Sequence, residues 1–123
     1  MAELKLTKIR EGTTPILTAV VDGEAIQDAT VYVTIDMGDR HLTKRSGEGD
    51  MVLTPVMGID TQVGTQIDVQ YSQAETLMLR PGIAKVQVGW VFDDNTADRT
   101  NIGRVRITKA LYKGVIRYGE HTS

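Results

Sequence analysis

Residues 81–111, PGIAKVQVGWVFDDNTADRTNIGRVRITKAL, decide how the rest of the chain is read. Ala84, Val86, Val88, Trp90 and Phe92 fall on one face of an extended segment, and Ile83, Lys85, Gln87 and Gly89 fall on the other. Alternation with period two marks a strand that buries one face and leaves the other more polar. Asp93, Asp94, Asn95 and Thr96 follow, and short polar side chains of this kind bond to their own backbone in turns. On the return, Gly103, Val105 and Ile107 alternate with Arg104, Arg106 and Thr108. The stretch therefore reads as two long strands joined by a polar turn.

Working towards the N-terminus, Thr65–Tyr71 alternates through Ile67, Val69 and Tyr71. Ala29–Asp36 alternates with Val31, Val33 and Ile35 on one face and Tyr32 and Thr34 on the other. Ile16–Val21 is apolar apart from Thr18 and reads as a central strand. Asp22-Gly23 closes it in a tight hairpin or a corner. Arg40–Arg45 reads as a short edge strand, with Lys44 and Arg45 discouraging pairing with other chains. Ser46–Asp50 is turn-like, and Met51–Val56 is a strand weakened by Pro55. Ser72-Gln73-Ala74-Glu75 carries the one helical signal, a Ser with Glu three residues later, which fits a capping box and a single turn. Leu4, Leu6 and Ile9 suggest a first strand or an extended arm. Ala110–Ile116 reads as a last half turn or edge piece, and Gly119–Ser123 as a polar tail.

These short strands, about seven to nine of them at regular spacing with Gly, Pro and Asp between, predict an all-β, immunoglobulin-like antiparallel sandwich. A small barrel is the competing architecture. The chain has 123 residues, the length of one domain with its own core. The reading is a single domain over 1–123, with an N-terminal arm at 1–10 and a C-terminal tail at 112–123. Only six aromatics are present, so Val, Ile and Leu must fill the interior.

Composition narrows the function more than it names it. The formal net charge of −2 provides no overall basic footprint for nucleic acid, and it disfavours anionic membranes. There is no cysteine, which excludes disulfides and thiolate metal sites. Met1–Lys5 is charged and amphipathic and does not read as a signal peptide, and no apolar run reaches the length of a membrane span.

Each cluster that could carry chemistry has a plainer reading. Asp93, Asp94, Asn95 and Asp98 offer oxygens for calcium, but Asp98 and Arg104 stand where a helix-loop-helix calcium site needs Gly and Glu, so a turn is expected. His41 and His121 are the only histidines, and Asp39 alone lies near His41 at any ligand-like spacing, too few for zinc. Gly47-Glu48-Gly49 lacks the remaining residues of a phosphate loop. Ser46 and Ser72 lack a nucleophile elbow. Trp90 reads as a core anchor. No cofactor, no metal and no enzymatic activity are expected.

The segment Ser72–Leu77, then Pro81-Gly82, Val86-Gln87-Val88-Gly89-Trp90, Asp93–Thr96, Arg99–Ile102, Val105-Arg106-Ile107 and Leu111 resembles a known family. It is similar to the small immunoglobulin-like domains of tailed phages and prophages of Gram-positive bacteria, including the N-terminal domain of upper baseplate proteins of lactococcal phages. The resemblance covers residues 65–116. It implies a non-enzymatic virion component, assembled in the host cytoplasm. The place implied is a tail, baseplate or fibre-associated one, with capsid decoration or a head fibre as the alternative. A carbohydrate-binding module is the second class. Expected partners are other virion proteins, further copies of the chain and a host-surface glycan, with no nucleic acid and no membrane. The expected interface comprises Lys85, Gln87, Arg104 and Arg106 on the polar face of the hairpin, Leu4 and Leu6 in the arm, and Tyr112 and Tyr118 near the C-terminus. The arm and the Tyr112–Tyr118 segment each have enough apolar character to add a strand to a neighbour.

Overall fold

Side-chain alternation and turn chemistry place nine strands and one helical turn among the described residues, which in this computed structural model are 9–10, 12–111 and 114–118. In chain order these are β1 (Ile9–Arg10), β2 (Ile16–Asp22), β3 (Thr30–Asp36), β4 (His41–Arg45), β5 (Met51–Met57), β6 (Gln62–Gln70), α1 (Gln73–Leu77), β7 (Gly82–Val91), β8 (Ala97–Arg99) and β9 (Gly103–Thr108). They form two sheets. One has the order β1-β9-β7-β3-β4, with β8 also paired to β7, and the other has the order β2-β6-β5. This is a sandwich of immunoglobulin type, not a closed barrel.

The inward positions of both sheets meet in one core. Leu17, Ala19 and Val21 from β2 and Ile67 and Val69 from β6 face Val31, Val33 and Ile35 from β3 and Ala84, Val86, Val88 and Trp90 from β7. Ile26 and Leu79, in the connecting segments, close the two ends. Each fully buried aliphatic side chain stabilises the fold by about 1.5–3 kcal/mol. Trp90 is 4% exposed, the core anchor its strand position suggested.

Two expectations about strands need correction. The pairing is antiparallel except at β1, which runs parallel to β9. The Ile16–Val21 run is not central, for among the described residues β2 is bordered only by β6. Leu17, Ala19 and Val21 are buried, while Ile16 points outward and is 55% exposed. Apolar residues on both faces of a strand do not by themselves bury both faces. Of the two arrangements expected at Asp22-Gly23, a corner is the one formed, because the chain crosses from β2 to β3 in the other sheet.

The second long strand is in fact two. Gly89 pairs with Arg99 and Val86 with Gly103, so two residues of β7, Gln87 and Val88, face three, Thr100–Ile102. This is the arithmetic of a bulge. Thr100 fills it: its N–H donates to the Val88 carbonyl at 2.9 Å, and its hydroxyl accepts from the Val88 N–H at 3.2 Å. The bulge changes the phase of the strand. Val105 and Ile107 point inward, and unbroken alternation would carry Arg99 inward with them; one extra residue puts Thr100 inside and leaves Arg99 exposed.

The helical turn has the expected capping box. Ser72 Oγ accepts from the Glu75 N–H at 3.1 Å, and Glu75 Oε1 accepts from the Ser72 N–H at 2.8 Å. The described part of Ala110–Ile116 contains no strand. It docks on α1 instead: the Gln73 amide donates to the Ile116 carbonyl at 2.8 Å, and the Ile116 N–H donates to Gln73 Oε1 at 2.6 Å.

Candidate protein interface

The outer face of the larger sheet brings the expected hairpin residues together. Lys85, Gln87, Arg104 and Arg106 lie in phase, because Lys85 pairs directly with Arg104 and Ile83 with Arg106. Lys85, Arg104 and Arg106 are exposed, and Gln87 is half-buried. Its amide donates to the Thr100 carbonyl at 2.8 Å, so Gln87 also serves the bulge.

Like charges directly opposite each other on a sheet are destabilising, and here Lys85 faces Arg104. Asp36 flanks Lys85 on the other side. Its carboxylate, however, is held by His41 Nδ1 at 3.1 Å and accepts from the Gly38 N–H at 2.8 Å. Lys85, Arg99, Arg104 and Arg106 form no ion pair among the described residues. Two other exposed cations are paired, Arg80 with Asp39 at 2.6 Å and Arg45 with Glu48 at 3.0 Å, whereas Arg40 donates to the Met78 carbonyl at 2.9 Å. Beside the unpaired cations stand Ile83 and Ile102, 53% and 57% exposed. The result is a flat, mixed cationic and apolar patch on a chain whose net charge is negative.

Next to the patch lies a shallow groove of about 300 Å³ whose floor is Gly89. Tyr32, Thr34 and Thr43 wall one side and Arg99 the other, with Gln87 at one end. Gly89 sits opposite Tyr32 on β3 and Arg99 on β8, so the missing side chain leaves the space between them open.

The other residues that the sequence singles out fall elsewhere. Leu4, Leu6, Tyr112 and His121 lie outside the described residues. Tyr118 is fully exposed and belongs to no strand. His41 takes Asp36 as its partner and not Asp39, which binds Arg80. The Asp93–Thr96 segment is a turn: Asn95 has φ of 67°, the Phe92 N–H donates to the Thr96 carbonyl at 2.9 Å, and Asp94 Oδ1 accepts from the Thr96 N–H at 2.9 Å. No group of three or more His, Asp or Glu could hold a metal ion among the described residues.

One further cluster lies outside the candidate sites that the sequence singles out. Lys44 is expected to discourage pairing at the β4 edge, and alternation puts it in phase with Leu42 on the inward side. Its Nζ donates to Glu75 Oε1 at 2.9 Å and to the Gln70 carbonyl at 2.8 Å, reaches Asp50 Oδ2 at 3.1 Å, and sits 5.1 Å from the Tyr71 ring centroid. Burial pulls the lysine down, but the hydrogen bonds and charges of Glu75 and Asp50 outweigh it and leave its pKa raised. Burial pushes Glu75 up, and hydrogen bonds from Lys44 and Ser72 outweigh that, holding the carboxyl below its usual range. An inward charge of this kind still protects an edge strand.

No protein-family model and no curated protein matches this chain.

Proposed function

We propose that this chain is a non-enzymatic structural domain that assembles by protein–protein contacts through the outer face of the β7-centred sheet. The observation that carries the reading is the cluster of Lys85, Arg104 and Arg106, which form no ion pair among the described residues, set beside exposed Ile83 and Ile102. Arginine with exposed apolar side chains suits a docking surface, and unpaired charge steers and selects a partner. Following the resemblance, the assembly is a tailed-phage virion, with the domain in a tail, baseplate or fibre-associated position. Its partners are further copies of itself and other virion proteins.

The test is the solution mass of the purified chain across a concentration series, with Arg104→Glu/Arg106→Glu alongside. Self-association that the double variant abolishes, while its unfolding curve stays unchanged, supports the reading. Association that the variant leaves intact removes this face as the interface.

The groove over Gly89 favours a second reading, a carbohydrate-binding module. An aromatic ring, two hydroxyls and an amide around an open floor can engage a sugar ring and its hydroxyls. Titration with cell-wall polysaccharide separates the two: saturable binding lost in Gly89→Leu would favour the module.

A further inference from the structure

An apolar knob and a cationic hollow stand at opposite ends of this sandwich. The knob is the β5–β6 hairpin tip. Its two central residues, Ile59 and Asp60, are closed off by the Gly58 N–H donating to the Thr61 carbonyl at 2.7 Å. Ile59 is 99% exposed, and Met57 beside it is 63% exposed. Tight hairpins favour Asn, Asp and Gly at their tips, so a β-branched apolar residue there is explained neither by turn chemistry nor by burial.

The hollow lies at the foot of β7 and β9. It has a volume of about 410 Å³ and is lined by Pro81, Gly82, Ile83, Arg106 and Lys109 among others. Its apolar floor element is Ile83, and its rim is positive.

Strand direction separates the two. The hollow opens beside Gly82, the first residue of β7, whereas Val91, the last, pairs with Thr30 at the start of β3. Thr30 is reached from Asp22 by the β2–β3 corner, and Asp22 pairs with Gly64 beside the tip. A ten-residue strand spans about 33 Å, so a domain cannot seat its own tip in its own hollow. The segments that flank the tip are acidic. Asp22, Glu24, Asp28 and Asp60 lie around the tip end, and no Lys or Arg occurs in residues 22–30 or 57–62.

We infer that the Ile59–Asp60 tip of one copy seats in the Ile83–Arg106–Lys109 hollow of a second copy, with Ile59 against Ile83 and Asp60 against the cationic rim. The contact joins unlike patches and so repeats from copy to copy until a ring closes. It rests on the self-assembly reading above and supplies the second half of that interface.

The experiment is light scattering of the full chain at rising concentration and at two salt concentrations. Wild type should associate, and more weakly at high salt. Ile59→Asp and Arg106→Glu should each weaken association by about tenfold or more, and Asp60→Lys should weaken it too. An equimolar mixture of Asp60→Lys with Arg106→Glu should regain association, because the reversed tip now meets the reversed rim. Unfolding curves of the variants must match wild type; Ile59 and Asp60 are exposed and touch no core. If wild type associates and the tip variants associate equally well, or the mixture stays dissociated, this contact is wrong while the self-assembly reading stands. If wild type is monomeric at every concentration, both are wrong.

Discussion

Lys44→Met removes one charge from the edge of the sandwich while keeping most of the aliphatic stem. The Lys44 side chain is only 10% exposed, and its partners Glu75 and Asp50 are 26% and 54% exposed. Breaking a fully buried pair by removing one partner costs about 3–5 kcal/mol, whereas an exposed pair contributes about 0–1 kcal/mol. This site lies between those limits, and losing the Tyr71 ring contact adds a little. The expected loss is about 2 kcal/mol. With a urea dependence of about 1.5 kcal/mol/M, the unfolding midpoint should fall by about 1.3 M. The pH dependence gives a second reading of the same cluster. Glu75 is held below its ordinary value of 4.5, so its contribution is present above that value and is lost as pH falls through the depressed folded pKa. Lys44 is held above its ordinary value of 10.5, so its contribution is complete below that value and is lost as pH rises through the raised folded pKa. The difference between wild type and Lys44→Met should therefore be flat from about pH 5 to pH 10 and shrink on both sides. A variant as stable as wild type at pH 7, or a difference that persists undiminished at pH 2, would refute the claim that these ion pairs stabilise the fold.

Three further substitutions test the packing. Gly64→Ala would place a methyl group 2.8 Å from the Val21 carbonyl oxygen on β2, so the strands must part, and thermal unfolding should show a loss of about 1–3 kcal/mol. Ser72→Ala removes the cap of α1 and should cost about 1 kcal/mol, read in the same urea titration. Tyr71 has a buried hydroxyl with no hydrogen-bond partner among the described residues, and burial raises its pKa, followed by the charge of Glu75. Tyr71→Phe should thus leave stability unchanged or raise it by up to about 1 kcal/mol, and a large loss would show that the hydroxyl is bonded in solution.

The large elements are legible in the sequence because alternation states directly which side chains face inward. Val31, Val33 and Ile35, and Ala84 through Trp90, can be assigned from spacing alone, and their burial follows it. The capping box at Ser72 is legible because its two hydrogen bonds are local. What spacing cannot show is anything set by a partner strand. The break at Thr100–Ile102 depends on register against β7, which no local pattern in residues 97–108 encodes. β2 looks central because Ile16 and Val20 are apolar, yet its position at a sheet border depends on which strands pair with it. Of the candidate interface, the cations on β7 and β9 fall on one face by parity, and the direct opposition of Lys85 and Arg104 needs the pairing itself. The lysine cluster is also written in parity, since Lys44 shares the phase of Leu42; the edge position of β4 masks it. Ile59 carries a signal too, an apolar residue flanked by Gly58 and Asp60 where a turn is due.

The pairing pattern also sets when this chain can fold during synthesis. β2 reaches forward to β6 across 42 residues at its nearest pair, Asp22 with Gly64, and β3 reaches to β7 across 61 at its farthest, Thr30 with Val91. Neither early strand has its main partner until more than half the polypeptide has left the ribosome, and β9 comes later still. Such distant pairing belongs with folding times of milliseconds to seconds, because closing these long loops must precede the contacts they bring, while β3 with β4 and β5 with β6 can pair locally first. During that interval the apolar β2 and β3 segments are exposed to the rest of the cell. A nascent chain stalled near residue 70 should therefore be a ready substrate for chaperones, while one released past residue 108 should quickly cease to be.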